Sequence, residues 1–173
     1  MGAELARRYP GKKFLIIDAP IICPEEVEMR RTGFQEAKLQ FMWETAKDGE
    51  FGKYYDAIGK AAWLEARSKH PDCDVIVSLF RIHPKILESL PTGGDGGRIV
   101  IVQNNPAELL EPLVAGKIDF TWFRCTKPLP SGASPEALLA NKFLLLDLHS
   151  LDEIRREHPE LHLAPQLAES EEE

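Results

Sequence analysis

The residues of this chain that could do chemistry stand at the ends of its apolar runs. Polar side chains follow or close these runs at six positions: Asp18, Asp48, Arg81, Asn104, Asn105 and Arg124. Arg30 lies in the segment after the first run. If the runs are parallel strands, these side chains meet at the carboxyl edge of a sheet, where open α/β proteins bind ligands. Arginines at that edge suit a carboxylate, a phosphate or sugar hydroxyls, because a guanidinium presents a fixed fork of donors. The alternative is that each arginine pairs with a nearby Asp or Glu on a solvated rim.

The sequence contains no motif typical of a catalytic, metal or cofactor site. The five histidines have no HExxH or other metal-ligand spacing, and GxSxG, which marks a nucleophile elbow, is missing. The glycine-rich stretch 92–97 (TGGDGG) precedes an apolar run, whereas a dinucleotide fingerprint follows one. Cys23, Cys73 and Cys125 are too far apart for a zinc knuckle. We therefore predict no catalytic residue, no metal and no cofactor.

The composition is that of a soluble globular protein with an acidic balance. The 173 residues carry a net charge of −7, part of it in the glutamates of 169–173. An acidic chain does not favour nucleic acid as a partner, because phosphate binding needs a basic face. No segment approaches the ~20 apolar residues of a membrane span, so no membrane insertion is expected. Residues 1–13 lack the apolar centre of a signal peptide, which predicts a cytoplasmic protein, or a periplasmic one if a leader was removed.

Short apolar runs alternate with helix-like segments along the chain. The predicted strands are 14–18, 39–45, 74–80, 98–103, 118–123 and 143–148, and the predicted helices are 25–38, 52–69, 83–90, 107–115, 135–141 and 151–158. Strands that are apolar on both faces are typical of a parallel sheet covered by helices. The prediction is an α/β, three-layer fold with a mainly parallel five- or six-stranded sheet, helices on both faces and a flavodoxin-like or Rossmann-like order. One domain would span 1–158, and 159–173 would form an acidic, flexible tail.

Several motifs occur in an order that resembles a known family. RRTGFQEA (30–37) opens a predicted helix, LQFMWETAKDG (39–49) gives a strand and an aspartate-bearing loop, and HPDCD (70–74) precedes the strand VIVSLF. The stretch 98–128 continues the series. Together, 14–128 resemble the C-terminal lobe of type I periplasmic binding proteins and of LacI-type sugar-binding regulator cores (ribose-binding-protein-like).

The resemblance implies a set of ligand-binding positions. The family's R-x-x-G-F arginine, which contacts the sugar, is Arg30 here, but its Asn-Asp pair after the third strand is Phe80-Arg81. Asn105 stands where the family has an aspartate, and Arg124 where it has a glutamine. The ligand edge would therefore be formed by six residues: Arg30, Asp48, Phe80, Arg81, Asn105 and Arg124. Such an edge is more basic than a neutral-sugar site, which favours an anionic or carboxylated ligand, or the loss of sugar binding, and Phe80 could stack on a ring.

The resemblance covers one of the two lobes between which this family traps its ligands. We therefore expect a partner chain or a homo-oligomer to supply the other lobe, unless the chain is half of a longer protein. The first hypothesis is a non-enzymatic small-molecule-binding module. A second is a nucleotide-processing enzyme of nucleoside deoxyribosyltransferase-like type, with Asp18 or Glu44 as carboxylate nucleophile. A third is a structural or interaction subunit that has lost ligand binding.

Overall fold

The computed structural model describes residues 1–18, 24–45, 57–58, 60–82, 84–90, 98–103, 109–124 and 143–157. The helices among them are α1 (Gly2–Arg8), α2 (Pro24–Glu36), α3 (Lys60–Lys69), α4 (Pro84–Ser89), α5 (Leu110–Val114) and α6 (Leu151–Glu157). The strands are β1 (Lys13–Asp18), β2 (Gln40–Thr45), β3 (Ala57–Ile58), β4 (Val75–Ser78), β5 (Arg81–Ile82), β6 (Arg98–Gln103), β7 (Phe120–Arg124) and β8 (Phe143–Leu146). None of the helices in these ranges has the length and apolar character needed to cross a membrane.

Six strands form the main sheet, in the order β2-β1-β4-β6-β7-β8. Neighbouring strands are parallel except for β7 and β8, which are antiparallel. β1 lies between β2 and β4, with Phe14 opposite Phe41 on one side and opposite Val75 on the other. The strand order therefore reverses direction at β1, which makes its carboxyl end a topological switch point. The two short strands β3 and β5 pair separately and in parallel.

The core is divided between the two faces of the sheet, because successive side chains of a strand point in opposite directions. On one face, Leu15 and Ile17 of β1 belong to a cluster with buried residues of α3, α4, α5 and α6. On the other face, Phe14 and Ile16 pack in a cluster with residues of α1 and α2, among them Leu5. β1 is apolar at these four positions because both of its faces are buried. The predicted α/β fold, with helices on both faces of a mainly parallel sheet, is confirmed.

Three local predictions were wrong or incomplete. Helix α1 was not predicted. Ala57–Ile58, predicted as part of a helix, is the strand β3, and that helix begins at Lys60. The helical spacing of Tyr54, Ile58, Ala61 and Leu64 predicts that they form the inward stripe of that helix. Leu64 is instead 52% exposed, whereas its neighbour Trp63 is buried. The predicted helix 135–141 and the tail 159–173 lie outside the described residues.

Gly116 ends α5 as its type predicts. Its φ is +67°, in the left-handed region that glycine adopts without a steric penalty. The amide of Gly116 donates to the carbonyl of Leu113, and that of Lys117 donates to the carbonyl of Pro112 at 2.8 Å. These bonds satisfy carbonyls that the end of a helix leaves without a partner.

Candidate functional site

The carboxyl ends of β1 and β4 bring the first predicted site residues together. Ser78 closes β4 opposite Ile17 of β1, and the amide of Leu79 donates to the Ile17 carbonyl at 2.9 Å. The hydroxyl of Ser78 then donates to the carbonyl of Phe80 at 2.7 Å. These two bonds hold the chain after β4 beside the end of β1, where Asp18 stands. Phe80 is therefore held at the switch point of the sheet.

Arg30 of α2 reaches this point and is fixed by two contacts. Its Nη1 donates to Oδ1 of Asp18 at 3.0 Å, and its guanidinium carbon lies 5.4 Å from the centroid of the Phe80 ring. The Asp18 side chain is 1% exposed, whereas that of Arg30 is 28% exposed. A carboxylate in such a buried position is stabilised by a paired cation, and a guanidinium within ≈ 6 Å of an aromatic centroid is attracted by the ring. The arrangement thus orients Arg30 with one side toward solvent.

Of the six predicted ligand residues, Arg30 and Phe80 meet in the structure. Arg81 is the first residue of β5 and Arg124 the last of β7, and the structure describes only the backbone at these two positions. Asp48 and Asn105 lie outside the described residues. The pairing of each arginine with a carboxylate, which the sequence left open, is observed for Arg30. Its partner Asp18 was predicted at this edge, but not as a residue that positions the arginine.

The two carboxylates proposed as nucleophiles are both engaged by cationic or imidazole groups. Asp18 is buried against Arg30, which leaves almost none of its surface for a substrate. Glu44 of β2 lies 2.7 Å from Nε2 of His70 and accepts from Nζ of Lys69 at 3.3 Å. The bond from His70, followed by that from Lys69, outweighs burial and lowers the pKa of Glu44.

Trp122, the tryptophan nearest a strand end, belongs to the core. It is 7% exposed and meets Phe120 edge to face, with the ring centroids 4.8 Å apart. It therefore offers no platform for a ligand. Within the ranges that the structure describes, no three His, Cys, Asp or Glu side chains are grouped to hold a metal ion.

Comparison with known proteins supports the fold through structure alone. No protein-family model matches the chain, and no curated protein sequence does. A periplasmic ribose ABC transporter protein from Conexibacter woesei shares 13% identity and a TM-score of 0.60, over 90% of this chain and 57% of that chain. An ABC transporter solute-binding protein from Burkholderia graminis, solved in complex with D-arabinose, shares 12% identity and a TM-score of 0.57, over 86% and 58%.

A third structure is GanP, a glucose-galactose binding protein from Geobacillus stearothermophilus. It shares 19% identity and a TM-score of 0.49, over 70% of this chain and 44% of that chain. The chain spans little more than half the length of the first two proteins and less than half of GanP. The first two structures confirm the resemblance inferred from the sequence at the level of fold: the chain has the fold of one part of the periplasmic sugar-binding proteins.

Proposed function

We propose that this chain is a small-molecule-binding module whose ligand contacts the carboxyl edge of the sheet beside β1 and β4. The observation that carries the proposal is the position of Arg30, which Asp18 and Phe80 hold at the switch point of the strand order. Open α/β sheets bind ligands at this position. The solved structures of similar fold include one in complex with D-arabinose, which agrees with a ligand of sugar size.

The ligand class that fits this edge is a sugar, a sugar acid or another small anion. The guanidinium of Arg30 is planar and presents its donors in a fixed geometry, and Asp18 fixes that geometry before a ligand arrives. A preoriented side chain loses less entropy on binding. Arg81 follows β4, and Arg124 ends β7, which runs parallel to β6, so both positions belong to the same edge. Phe80 adds an aromatic side chain at this edge.

A single edge of a sheet leaves most of a small ligand in contact with water, whereas binding sites bury ~70–90% of it. The similar solved chains are longer than this one. We therefore propose that a second covering surface completes the site, supplied by another copy of this chain or by another polypeptide. Light scattering in the presence and absence of ligand tests the first of these sources, since a ligand-induced dimer would double the mass.

The binding proposal is tested by thermal unfolding with neutral sugars, sugar acids and sugar phosphates. A ligand at a hundredfold excess over its Kd stabilises by about 2.7 kcal/mol, which raises the melting temperature of a chain of this size by roughly 5–10 °C. We expect Arg30→Lys to abolish most of this shift, because lysine keeps the charge beside Asp18 but not the planar fork. The control is Arg7→Lys, on an exposed side chain of α1. If no compound of the panel raises the melting temperature, or if both variants respond like the parent chain, the proposal fails.

A further inference from the structure

A cavity of about 340 Å³ lies at the edge of the sheet opposite Arg30. Its walls come from the amino ends of the parallel strands, where Arg98 begins β6 and Asp119 precedes β7. Tyr9 follows α1, and Asp147 follows the antiparallel strand β8, which brings both to the same edge. A volume of this size is within the range of ≈ 300–1,000 Å³ that ligand pockets occupy. The side chains that line this cavity include Arg8, Tyr9, Arg98, Asp119, Asp147, Leu148 and His149.

One ion pair forms the inner wall of this amino-edge cavity. Nη2 of Arg8 donates to Oδ2 of Asp147 at 2.6 Å, and Nε of Arg8 donates to Glu4 at 2.7 Å. The Asp147 side chain is 9% exposed, and Ser150 donates to its Oδ1 through both its amide and its hydroxyl. These groups satisfy each other, so the pair acts as a fixed wall of the cavity.

The outer wall leaves hydrogen-bonding groups available. The Tyr9 hydroxyl donates to Oδ2 of Asp119 at 2.5 Å, and burial, followed by this bond, raises the pKa of Tyr9, so the hydroxyl keeps its proton. Arg98 lies over the Tyr9 ring at 5.3 Å, and its Nη1 is 3.7 Å from Oδ2 of Asp119, beyond hydrogen-bonding distance. Among the described residues, the Arg98 guanidinium donates no hydrogen bond and Oδ1 of Asp119 accepts none. Donors and an acceptor therefore stand side by side at the mouth, held in place by Tyr9.

Two arginines, two aspartates and His149 line the cavity, and the charges of the arginines and the aspartates balance. Arg8 and Arg98 face Asp119 and Asp147, so an anion would approach two carboxylates and a cation would approach two guanidinium groups. A neutral molecule with several hydroxyl groups avoids both repulsions, because each hydroxyl both donates and accepts. One hydroxyl can accept from Arg98 while its neighbour donates to Asp119. Leu148, 53% exposed at the cavity, offers an apolar surface for the C–H groups of such a molecule.

We propose that the amino-edge cavity binds a neutral, polyhydroxylated small molecule of monosaccharide size, with Arg98 and Asp119 as its polar contacts. The site is separate from the carboxyl edge, so we expect a variant at one edge to leave the other unchanged. The test is saturation-transfer difference NMR with D-glucose, D-ribose and myo-inositol, each titrated to obtain Kd. D-glucuronate and D-glucosamine serve as the matched anion and cation.

Arg98→Gln is expected to weaken the binding of the neutral compounds about tenfold or more, since a hydrogen bond from a charged donor is lost. The Arg98 side chain is 61% exposed, so the variant should fold, and circular dichroism checks this. Arg7→Gln, which removes an exposed arginine outside the cavity, should leave Kd unchanged. Asp119→Asn should weaken binding as Arg98→Gln does.

Three results would overturn the amino-edge site. The first is the lack of saturation transfer to any neutral compound. The second is a loss of binding in Arg30→Lys with no change in Arg98→Gln, which would assign the bound sugar to the carboxyl edge. The third is tighter binding of D-glucuronate than of D-glucose in Arg30→Lys, whose carboxyl edge has lost its proposed ligand contact. That result would contradict the charge balance that selects a neutral ligand.

Discussion

Replacing Arg8 by alanine should destabilise this protein strongly, because Asp147 would keep its charge in a buried position without its cation. The Arg8 guanidinium also lies 4.6 Å from the centroid of the Phe120 ring. Removing one partner of a buried pair costs roughly 3–5 kcal/mol. Two features reduce that figure here: the Arg8 side chain is 24% exposed, and Ser150 continues to bond Asp147. We therefore expect a loss of about 3 kcal/mol, or a fall in melting temperature of roughly 6–12 °C.

The measurement is urea unfolding at neutral and acidic pH, with Arg7→Ala as the matched control. Arg7 is the neighbouring arginine, also pairs with Glu4, and has a 66% exposed side chain, so its loss should leave the midpoint nearly unchanged. Burial alone would raise the pKa of Asp147, but the bonds from Arg8 and Ser150 outweigh it and lower the pKa. A lowered pKa gives stability above the unfolded value of ≈ 3.9 that is lost as the pH falls through the folded value.

The difference between parent and Arg8→Ala should therefore be largest near neutral pH and shrink below about pH 4. The double variant Arg8→Ala/Asp147→Asn should recover part of the loss at neutral pH, because no buried charge remains. A loss under about 1 kcal/mol in Arg8→Ala, or one that does not change with pH, would refute the role assigned to this pair.

Two further predictions concern packing, and each has a neighbouring control. A β-carbon at Gly2 would lie 2.5 Å from the carbonyl oxygen of Gly33 and 2.8 Å from Cβ of Ala37, so Gly2→Ala should cost about 1–3 kcal/mol by forcing α1 away from α2. A β-carbon at Gly33, within α2, would meet open space, so Gly33→Ala should stabilise the protein by about 0.5–1 kcal/mol. If Gly2→Ala and Gly33→Ala had equal effects on stability in urea unfolding, this packing of α1 on α2 would be contradicted. Trp63→Ala should cost about 3–5 kcal/mol because the side chain is buried. Leu64→Ala, on an exposed side chain, should change the melting temperature little. If Leu64→Ala destabilised the protein more than Trp63→Ala, the assignment of Trp63 to the buried face of α3 would be wrong.

The parallel sheet could be predicted from the sequence because a strand that is buried on both faces appears in the sequence as a continuous apolar run. β1 is a short run of five buried residues after Lys13, and no amphipathic alternation interrupts it. Helix α1 has no comparable pattern in the sequence. Its seven residues include one large buried side chain, Leu5, and isolated helices shorter than ~12 residues are marginal in water. The contact with α2, close enough that only glycine fits at Gly2, is a tertiary feature that local periodicity does not contain.

In the candidate sites, too, local features could be predicted from the sequence and long-range contacts could not. Arg30 could be placed at the carboxyl edge because it follows the first strand closely, and its motif adds to that inference. The partner that orients it, Asp18, is 12 positions away, and the sequence pattern does not show that the two side chains meet. At the amino edge, Tyr9 and Asp119 are 110 positions apart, and Arg8 and Asp147 are 139 apart. Pairs at such separations follow from the strand order, which a single sequence does not specify residue by residue.

The two edges distribute their charges differently, and this decides what a single variant can reveal at each. At the carboxyl edge, Arg30 both neutralises a buried carboxylate and faces the proposed ligand, so any substitution that removes its charge changes stability and binding together. At the amino edge, these tasks fall on different residues: Arg8 pairs with buried Asp147, whereas exposed Arg98 stands at the mouth. Binding there can therefore be removed without unfolding the chain. Arg30 requires lysine, which keeps the charge beside Asp18, because only a charge-preserving change separates the loss of a ligand contact from the loss of the fold.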